Sequence, residues 1–157
     1  MTFEALIFEL IRGTNGYENA NWLMRTRAAD RGRDIEVYRV ISDPLGDTKR
    51  RRVIVQCKHW QTRSVGRDEL VGCIEAVKLW EGDRVDTLIV ATSGRFTQDA
   101  VALKERYDRE RSVPSVELWP DTASSFSYRD AHTSPRPFTS GRDPTKGQVR
   151  RGASVAG

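Results

Sequence analysis

An aspartate, a glutamine and a lysine stand where strand ends would assemble a small metal site. Gln56 and Lys58 alternate within the run 53–58, so a strand there places both side chains on one face. Asp34 opens a second strand-like run, and an antiparallel hairpin would bring it to the same sheet edge. A carboxylate, an amide oxygen and a backbone carbonyl are hard oxygen donors of the kind Mg²⁺ takes. With a lysine beside the ion, the set predicts metal-assisted hydrolysis of a phosphodiester.

The apolar pattern predicts the elements that position these residues. The expected elements are a helix at 2–12, strands at 21–26, 34–41 and 53–58, a helix at 68–80, a strand at 87–91, a helix at 97–109 and a strand at 116–119. The run 87–91 is apolar throughout, as in a strand buried on both faces. The order α-β-β-β-α-β-α-β therefore predicts an α/β fold, a mixed β-sheet flanked by helices on both faces.

Composition divides the 157 residues near Pro120. Apolar residues are dense before that point and sparse after it, so residues 1–120 are expected to form one domain and 121–157 a basic, disordered tail. The tail either adds nonspecific attraction to a polyanion or has no role, and its composition favours the second reading. The net charge of +4 is compatible with a polyanionic partner but identifies none.

The two cysteines, Cys57 and Cys73, match no zinc-binding spacing. They fall in a predicted strand and a predicted helix, so reduced structural thiols are expected, in keeping with a cytoplasmic setting. No apolar stretch approaches the length of a membrane span, and Glu4 and Glu9 interrupt the apolar start of the chain. Neither a membrane segment nor a signal segment is predicted.

The chain resembles the PD-(D/E)xK nuclease superfamily in its Mrr-like restriction endonuclease branch, which carries glutamine in place of the acid. The resemblance covers residues 2–119 and is carried by Phe3-Glu4, Gly32–Ile35, Val55–Trp60 and Ala91–Thr97. It implies a restriction-endonuclease-like fold and a metal-dependent DNA endonuclease domain, acting in restriction and defence against foreign DNA. The implied cofactor is Mg²⁺, for which Mn²⁺ substitutes.

The resemblance also implies roles for individual residues. Asp34 is the principal metal ligand, Gln56 supplies a side-chain oxygen and Cys57 its backbone carbonyl, and Lys58 is the catalytic lysine. Glu4, on the first helix, is expected to face the site and to bind a metal-bound water or a second ion. A favourable contact with the helix dipole is an equally good reading of Glu4.

Several further residues are predicted to contact DNA: Lys49, Arg50, Arg51, Arg52, His59, Trp60 and Ser93. The basic run is placed in a hairpin that approaches the site, although a solvated hairpin explains it as well. His59 as an incidental loop residue, Trp60 as a packing residue and Ser93 as a turn residue are the structural alternatives. Glu36 shares the strand face of Asp34, and a solvent-facing position is favoured over a second ligand.

Two other functions remain open from the sequence. Gln56 is neutral, and no helix is predicted after Trp119, which together suit a catalytically inactive nuclease-fold module that binds nucleic acid or a protein partner. A purely structural α/β domain is the third reading. Sequence and methylation specificity are not encoded in recognisable residues, so a homodimer or a separate DNA-reading domain or chain is the expected source.

Overall fold

The computed structural model describes residues 1–23, 34–79 and 82–120. These ranges form three helices and five strands: α1 (Phe3–Gly13), β1 (Tyr17–Leu23), β2 (Asp34–Ile41), β3 (Lys49–Lys58), α2 (Arg67–Lys78), β4 (Thr87–Thr92), α3 (Gln98–Glu110) and β5 (Ser115–Trp119). The element order is the predicted one. The predicted tail at 121–157, the strand end at 24–26 and the helix end at residue 80 lie outside the described residues.

The five strands form one mixed sheet in the order β1-β2-β3-β4-β5. The β1–β2 and β2–β3 pairs are antiparallel, whereas β3–β4 and β4–β5 are parallel and joined through α2 and α3. This arrangement confirms the predicted α/β class. All six residues of β4 are buried, as its uninterrupted apolar sequence indicated.

Helices cover both faces of the sheet. Alternation along β3 separates Ile54, which packs under α2 and α3, from Val53 and Val55, which pack under α1. Side-chain caps fix where two of the helices begin: the Thr2 hydroxyl accepts a hydrogen bond from the Ala5 N–H, and Thr97 accepts one from the Ala100 N–H. No helix in the described ranges is long and apolar enough to cross a membrane.

Two strands, β1 and β3, begin four residues earlier than the sequence predicted. β3 starts at Lys49 because β2 and β3 pair along their whole length, from Asp34 opposite Gln56 to Ile41 opposite Lys49. The predicted start of this strand at Val53 is therefore wrong, and the basic run is part of the strand. β1 starts at Tyr17, and a register irregularity between Glu18 and Asn21 disrupts the alternation that would reveal it.

Candidate active site

Asp34 and Gln56 lie directly opposite each other on β2 and β3. Opposed residues of an antiparallel pair project from the same face, and Lys58, two positions further along β3, shares that face. Asp34 and Gln56 are 5% and 6% exposed, and Lys58 at the strand end is partly exposed. The structure thus brings the three predicted positions together at one end of the sheet.

An open cleft of about 380 Å³ lies beside these residues, between the end of β3 and α2. The residues that line it are Gln56, Lys58, Trp60, Arg63, Glu69, Gly72, Cys73 and Ala76. Gln56 and Lys58 therefore face the α2 side of the sheet. The cleft falls within the roughly 300–1,000 Å³ range of small-ligand sites, so it has room for part of a substrate next to the three polar groups.

Glu4 approaches the end of β3 from the opposite face. It lies in the first turn of α1, whose Ile7 and Ile11 pack in the same core cluster as Cys57. Burial raises the pKa of the Cys57 thiol above its ordinary value, and the negative charges of Glu4 and Asp34 raise it further. The contact between the rings of Phe3 and His59, 5.6 Å between centroids, places the start of α1 beside the end of β3.

The donor chemistry at this sheet edge fits a hard divalent cation. Asp34 offers a carboxylate, Gln56 an amide oxygen and β3 its backbone carbonyls, and Mg²⁺ retains several waters beside one or two protein carboxylates. Among residues 1–23, 34–79 and 82–120, no three His, Cys, Asp or Glu side chains form a metal-binding group. The candidate ligand set thus relies on one strand-end carboxylate supported by neutral oxygens.

Glu36, considered above as a solvent-facing residue or a second metal ligand, is instead paired with Arg52. Its carboxylate accepts a hydrogen bond from Arg52 Nε at 2.6 Å, and its side chain is mostly buried. The Arg52 backbone N–H also donates to the Asp86 carboxylate at 3.0 Å, so Arg52 is held by one ion pair with Glu36 and one backbone hydrogen bond to Asp86. The expected solvent-facing position was wrong, since Arg52 lies diagonally across the ladder and neutralises the carboxylate.

The loop after β3 is fixed to the loop after β4. The Lys58 carbonyl accepts hydrogen bonds from Trp60 N–H at 2.9 Å and Ser93 N–H at 3.3 Å. Val65 N–H donates to the Arg95 carbonyl at 2.8 Å, and Thr97 N–H donates to the Val65 carbonyl at 3.0 Å. These bonds hold the segment that follows Lys58 in one position against the sheet.

Gly94 allows the closest contact between these loops. A β-carbon at position 94 would lie 2.3 Å from the Trp60 carbonyl oxygen and 3.0 Å from that of Arg63. Only a residue without a side chain fits there. The absence of a side chain at position 94 therefore helps to determine the backbone positions of Trp60 and Arg63.

The predicted loop contacts occupy different positions around the site. The His59 ring contacts Phe3 of α1, with 5.6 Å between ring centroids. Trp60 lies at the cleft, and the Lys58 ammonium is over its ring at 5.6 Å from the centroid. The Ser93 hydroxyl is buried and has no hydrogen-bond partner among the described residues. All three stay near the end of β3.

The basic run lies at the other end of β3. Arg52 is six positions from Lys58 on one strand, which at about 3.3 Å per residue separates them by about 20 Å. Arg50 is paired with Glu18 at 3.8 Å and lies over the Tyr38 ring. The expected approach of the run to the site was wrong, because the strand continues through it. A contact with DNA at that distance remains a prediction.

Sequence reasoning missed Arg63 and Glu69. The Arg63 guanidinium stacks over Trp60 at 4.4 Å and is paired with Glu69 at 2.6 Å. Glu69 also accepts a hydrogen bond from the Gly66 N–H at 3.0 Å, at the start of α2. Hydrogen bonds from its own backbone N–H, from Arg63 and from Gly66 lower the pKa of Glu69. A glutamate at the third helical position is a recognisable sequence signal, but its pairing with Arg63 is not.

A mixed sheet with polar strand ends and helices on both faces is the architecture of a restriction-endonuclease-like nuclease domain. Residues 1–122 match the Mrr_cat family, described as restriction endonuclease, and the chain belongs to this family. It is similar to the structure described as MspJI restriction endonuclease in complex with a 27-mer oligonucleotide, with 20% identity and a TM-score of 0.49. That similarity covers 81% of this chain and 27% of the MspJI chain. No curated protein matches the sequence.

Proposed function

We propose that this chain is a Mg²⁺-dependent endonuclease domain that hydrolyses phosphodiester bonds in DNA. The observation that carries the proposal is the direct pairing of Asp34 with Gln56, with Lys58 on the same face beside an open cleft. Family membership supplies the nuclease class. The proposal adds the metal, the substrate and the residues that act.

Asp34, Gln56 and the Cys57 carbonyl would hold the ion, because they are hard oxygen donors on adjacent strands at the same end of the sheet. A bound Mg²⁺ supplies Lewis acidity and lowers the pKa of a coordinated water. Lys58, at the cleft, orients the attacking water and neutralises charge that develops on the phosphate. Glu4 is placed to accept a hydrogen bond from a water on the α1 side of the same edge.

Trp60 contributes to the placement of Lys58. Its ring faces the lysine ammonium at 5.6 Å, a distance at which the ring quadrupole attracts a cation. The ring is fixed in turn by the backbone bonds between the two loops. Because a general catalyst must stand within hydrogen-bond reach of the reacting groups, a lysine held near one position is suited to this role.

The biological setting that fits is restriction of foreign DNA in the cytoplasm. Sequence or methylation recognition would come from a homodimer or from a separate DNA-reading domain or chain. Within the described ranges, the residues around the proposed site that could contact a phosphate backbone are Lys58, His59, Trp60 and Arg63. Such contacts position DNA without reading its bases.

A catalytically inactive module that binds nucleic acid is the second candidate, and one observation favours it. Gln56 stands opposite Asp34, so the paired strand ends carry one negative charge instead of two. A site with fewer charged ligands binds a divalent cation less tightly. This candidate predicts salt-dependent DNA binding with no metal-dependent cleavage.

Nicking of supercoiled plasmid DNA by the full chain tests the proposal. Cleavage is expected with Mg²⁺ or Mn²⁺ and not with EDTA. Lys58→Ala should reduce the rate by about 10²–10⁴-fold, the usual contribution of a positioned acid or base, while DNA binding is retained. The matched control is Lys104→Ala, which removes a lysine paired with Asp108 on the surface of α3.

The remaining outcomes distinguish the active nuclease from the inactive DNA-binding module. Full activity in Lys58→Ala, or cleavage in EDTA, would reject the assigned mechanism. Salt-dependent binding without nicking under any divalent metal would establish the inactive module instead. Absence of DNA binding even at low salt would reject both.

A further inference from the structure

Arg63 is an exposed arginine whose guanidinium is nevertheless fixed. The guanidinium carbon lies 4.4 Å from the centroid of the Trp60 ring. Nη2 donates to Glu69 Oε1 at 2.6 Å, while the Arg63 side chain remains 65% exposed. Its other N–H groups have no partner within the described part of the chain. One edge of the fork is therefore anchored, and the rest faces solvent.

The two groups that hold Arg63 are themselves fixed. Glu69 is anchored at the start of α2 through the Gly66 N–H. Trp60 is anchored through its backbone N–H, which donates to the Lys58 carbonyl, and through the close approach of Gly94. An exposed arginine ordinarily loses much side-chain entropy when it binds a ligand. Arg63 has already lost part of that freedom, so it is preorganised for an anion.

Arg63 and Lys58 border the same cleft and face the same aromatic ring. Lys58 Nζ is 5.6 Å and the Arg63 guanidinium carbon 4.4 Å from the Trp60 centroid. Two groups at those distances from one point are at most about 10 Å apart. Two cations this close together can contact neighbouring phosphates of one DNA strand.

We propose that Arg63 binds a backbone phosphate of the strand being cut, one or two nucleotides from the scissile phosphate beside Lys58. The inference rests on the proposed function for the identity of the substrate. Guanidinium groups match phosphate oxygens in a forked geometry, which favours this residue over a point charge. Trp60 and Glu69 act through Arg63 as positioning residues. The contact places the strand and reads no base.

Equilibrium binding to a DNA duplex in EDTA, measured over a range of salt concentrations, tests the contact without cleavage. Arg63→Ala should reduce the slope of log affinity against log salt by about 0.9, the value expected when one phosphate fewer is neutralised, and weaken binding about ten-fold at low salt. The matched control is Arg109→Ala. Arg109 is an exposed arginine near the end of α3 with no ion pair among the described residues, and its replacement should leave the slope unchanged.

Steady-state nicking with Mg²⁺ supplies the second measurement. Arg63→Ala should raise KM about ten-fold with kcat within about two-fold of the unmodified chain, because the contact is made in both ground and transition states. Arg63→Lys should recover part of the salt slope and less of the affinity, since it keeps the charge and loses the fork. A change confined to kcat would overturn the assigned role.

The two proposals fail differently. If the unmodified chain nicks DNA and Arg63→Ala matches Arg109→Ala in slope and KM, the Arg63 contact is wrong and the nuclease proposal stands. If the chain never nicks DNA but Arg63→Ala lowers the slope, the contact stands and the catalytic proposal fails. Absence of measurable binding by the unmodified chain at low salt overturns the contact.

Discussion

Gly94 offers the sharpest steric test of how the site is held. A methyl group added there would lie 2.3 Å from the Trp60 carbonyl oxygen and 3.0 Å from the Arg63 carbonyl oxygen. Both neighbours are main-chain atoms, so no side-chain rotation relieves the clash and the loop must move. We expect Gly94→Ala to destabilise the fold by about 1–3 kcal/mol, the range for an added carbon in a packed site.

The matched control is Gly72→Ala, which adds the same atom with the opposite expected sign. Gly72 lies inside α2, and a β-carbon there would meet nothing within 4 Å. Alanine in an open helical position should therefore stabilise the protein by about 0.5–1 kcal/mol. Urea unfolding of the full chain measures both changes, and equal m-values would show that the native compactness is unchanged.

Gly94→Ala should also impair nicking activity beyond what its effect on stability explains. Movement of the 60–63 backbone displaces Trp60 and, with it, the groups that lie over its ring. A displacement of about 1 Å at a reacting group can cost about 10²-fold in rate, so Gly94→Ala should lose nicking activity at temperatures where it is fully folded. Unchanged stability in Gly94→Ala, or a gain like that of Gly72→Ala, would refute the close approach of the two loops.

Two other substitutions test the charges of the fold. Gln56→Glu places a second carboxylate opposite Asp34, so it should lower the unfolding temperature in EDTA, and Mg²⁺ or Mn²⁺ should restore it. The control, Gln98→Glu at the start of α3, should show no change of unfolding temperature with metal. If the unfolding temperature of Gln56→Glu did not depend on metal, a cation shared by positions 34 and 56 would be contradicted. Glu117→Gln removes the carboxylate that pairs with Arg39 at 2.7 Å in a mostly buried position, which should cost about 1–3 kcal/mol. In contrast, Glu110→Gln at an exposed helix pair should cost under about 0.5 kcal/mol in the same denaturation assay.

The parts of the fold that depend on local pattern were predictable. Residues 34–41 form β2 with the expected bounds, because turn residues flank a strand-like run. Thr97 caps α3 as expected, since a hydroxyl before a helix satisfies a backbone N–H. The placement of Asp34 opposite Gln56 followed from the hairpin, which fixes register once strand ends are known.

Features that depend on distant charges could not be read from local pattern. Arg52 is compatible with a strand because Glu36 neutralises its guanidinium and Asp86 accepts from its backbone N–H, and both partners lie far along the chain. The basic run therefore resembled a loop. The Arg63–Trp60 stack depends on a loop path that Gly94 permits, and no periodicity encodes such a path. The face from which Glu4 approaches was set by the packing of α1, which the helix pattern alone leaves open.

The two ends of β3 show why charge by itself does not locate the site. At one end, Arg50 and Arg52 are paired with carboxylates of β1 and β2, and the Arg52 pair is mostly buried. At the other end, Lys58 and Arg63 lie over one aromatic ring and border an open cleft. A phosphate near Arg52 would approach a guanidinium that is 10% exposed, whereas Arg63 is 65% exposed and keeps donors facing solvent beside its pair with Glu69. Basic residues alone therefore do not decide between the two ends, and the end with the cleft is where we expect DNA to be cut.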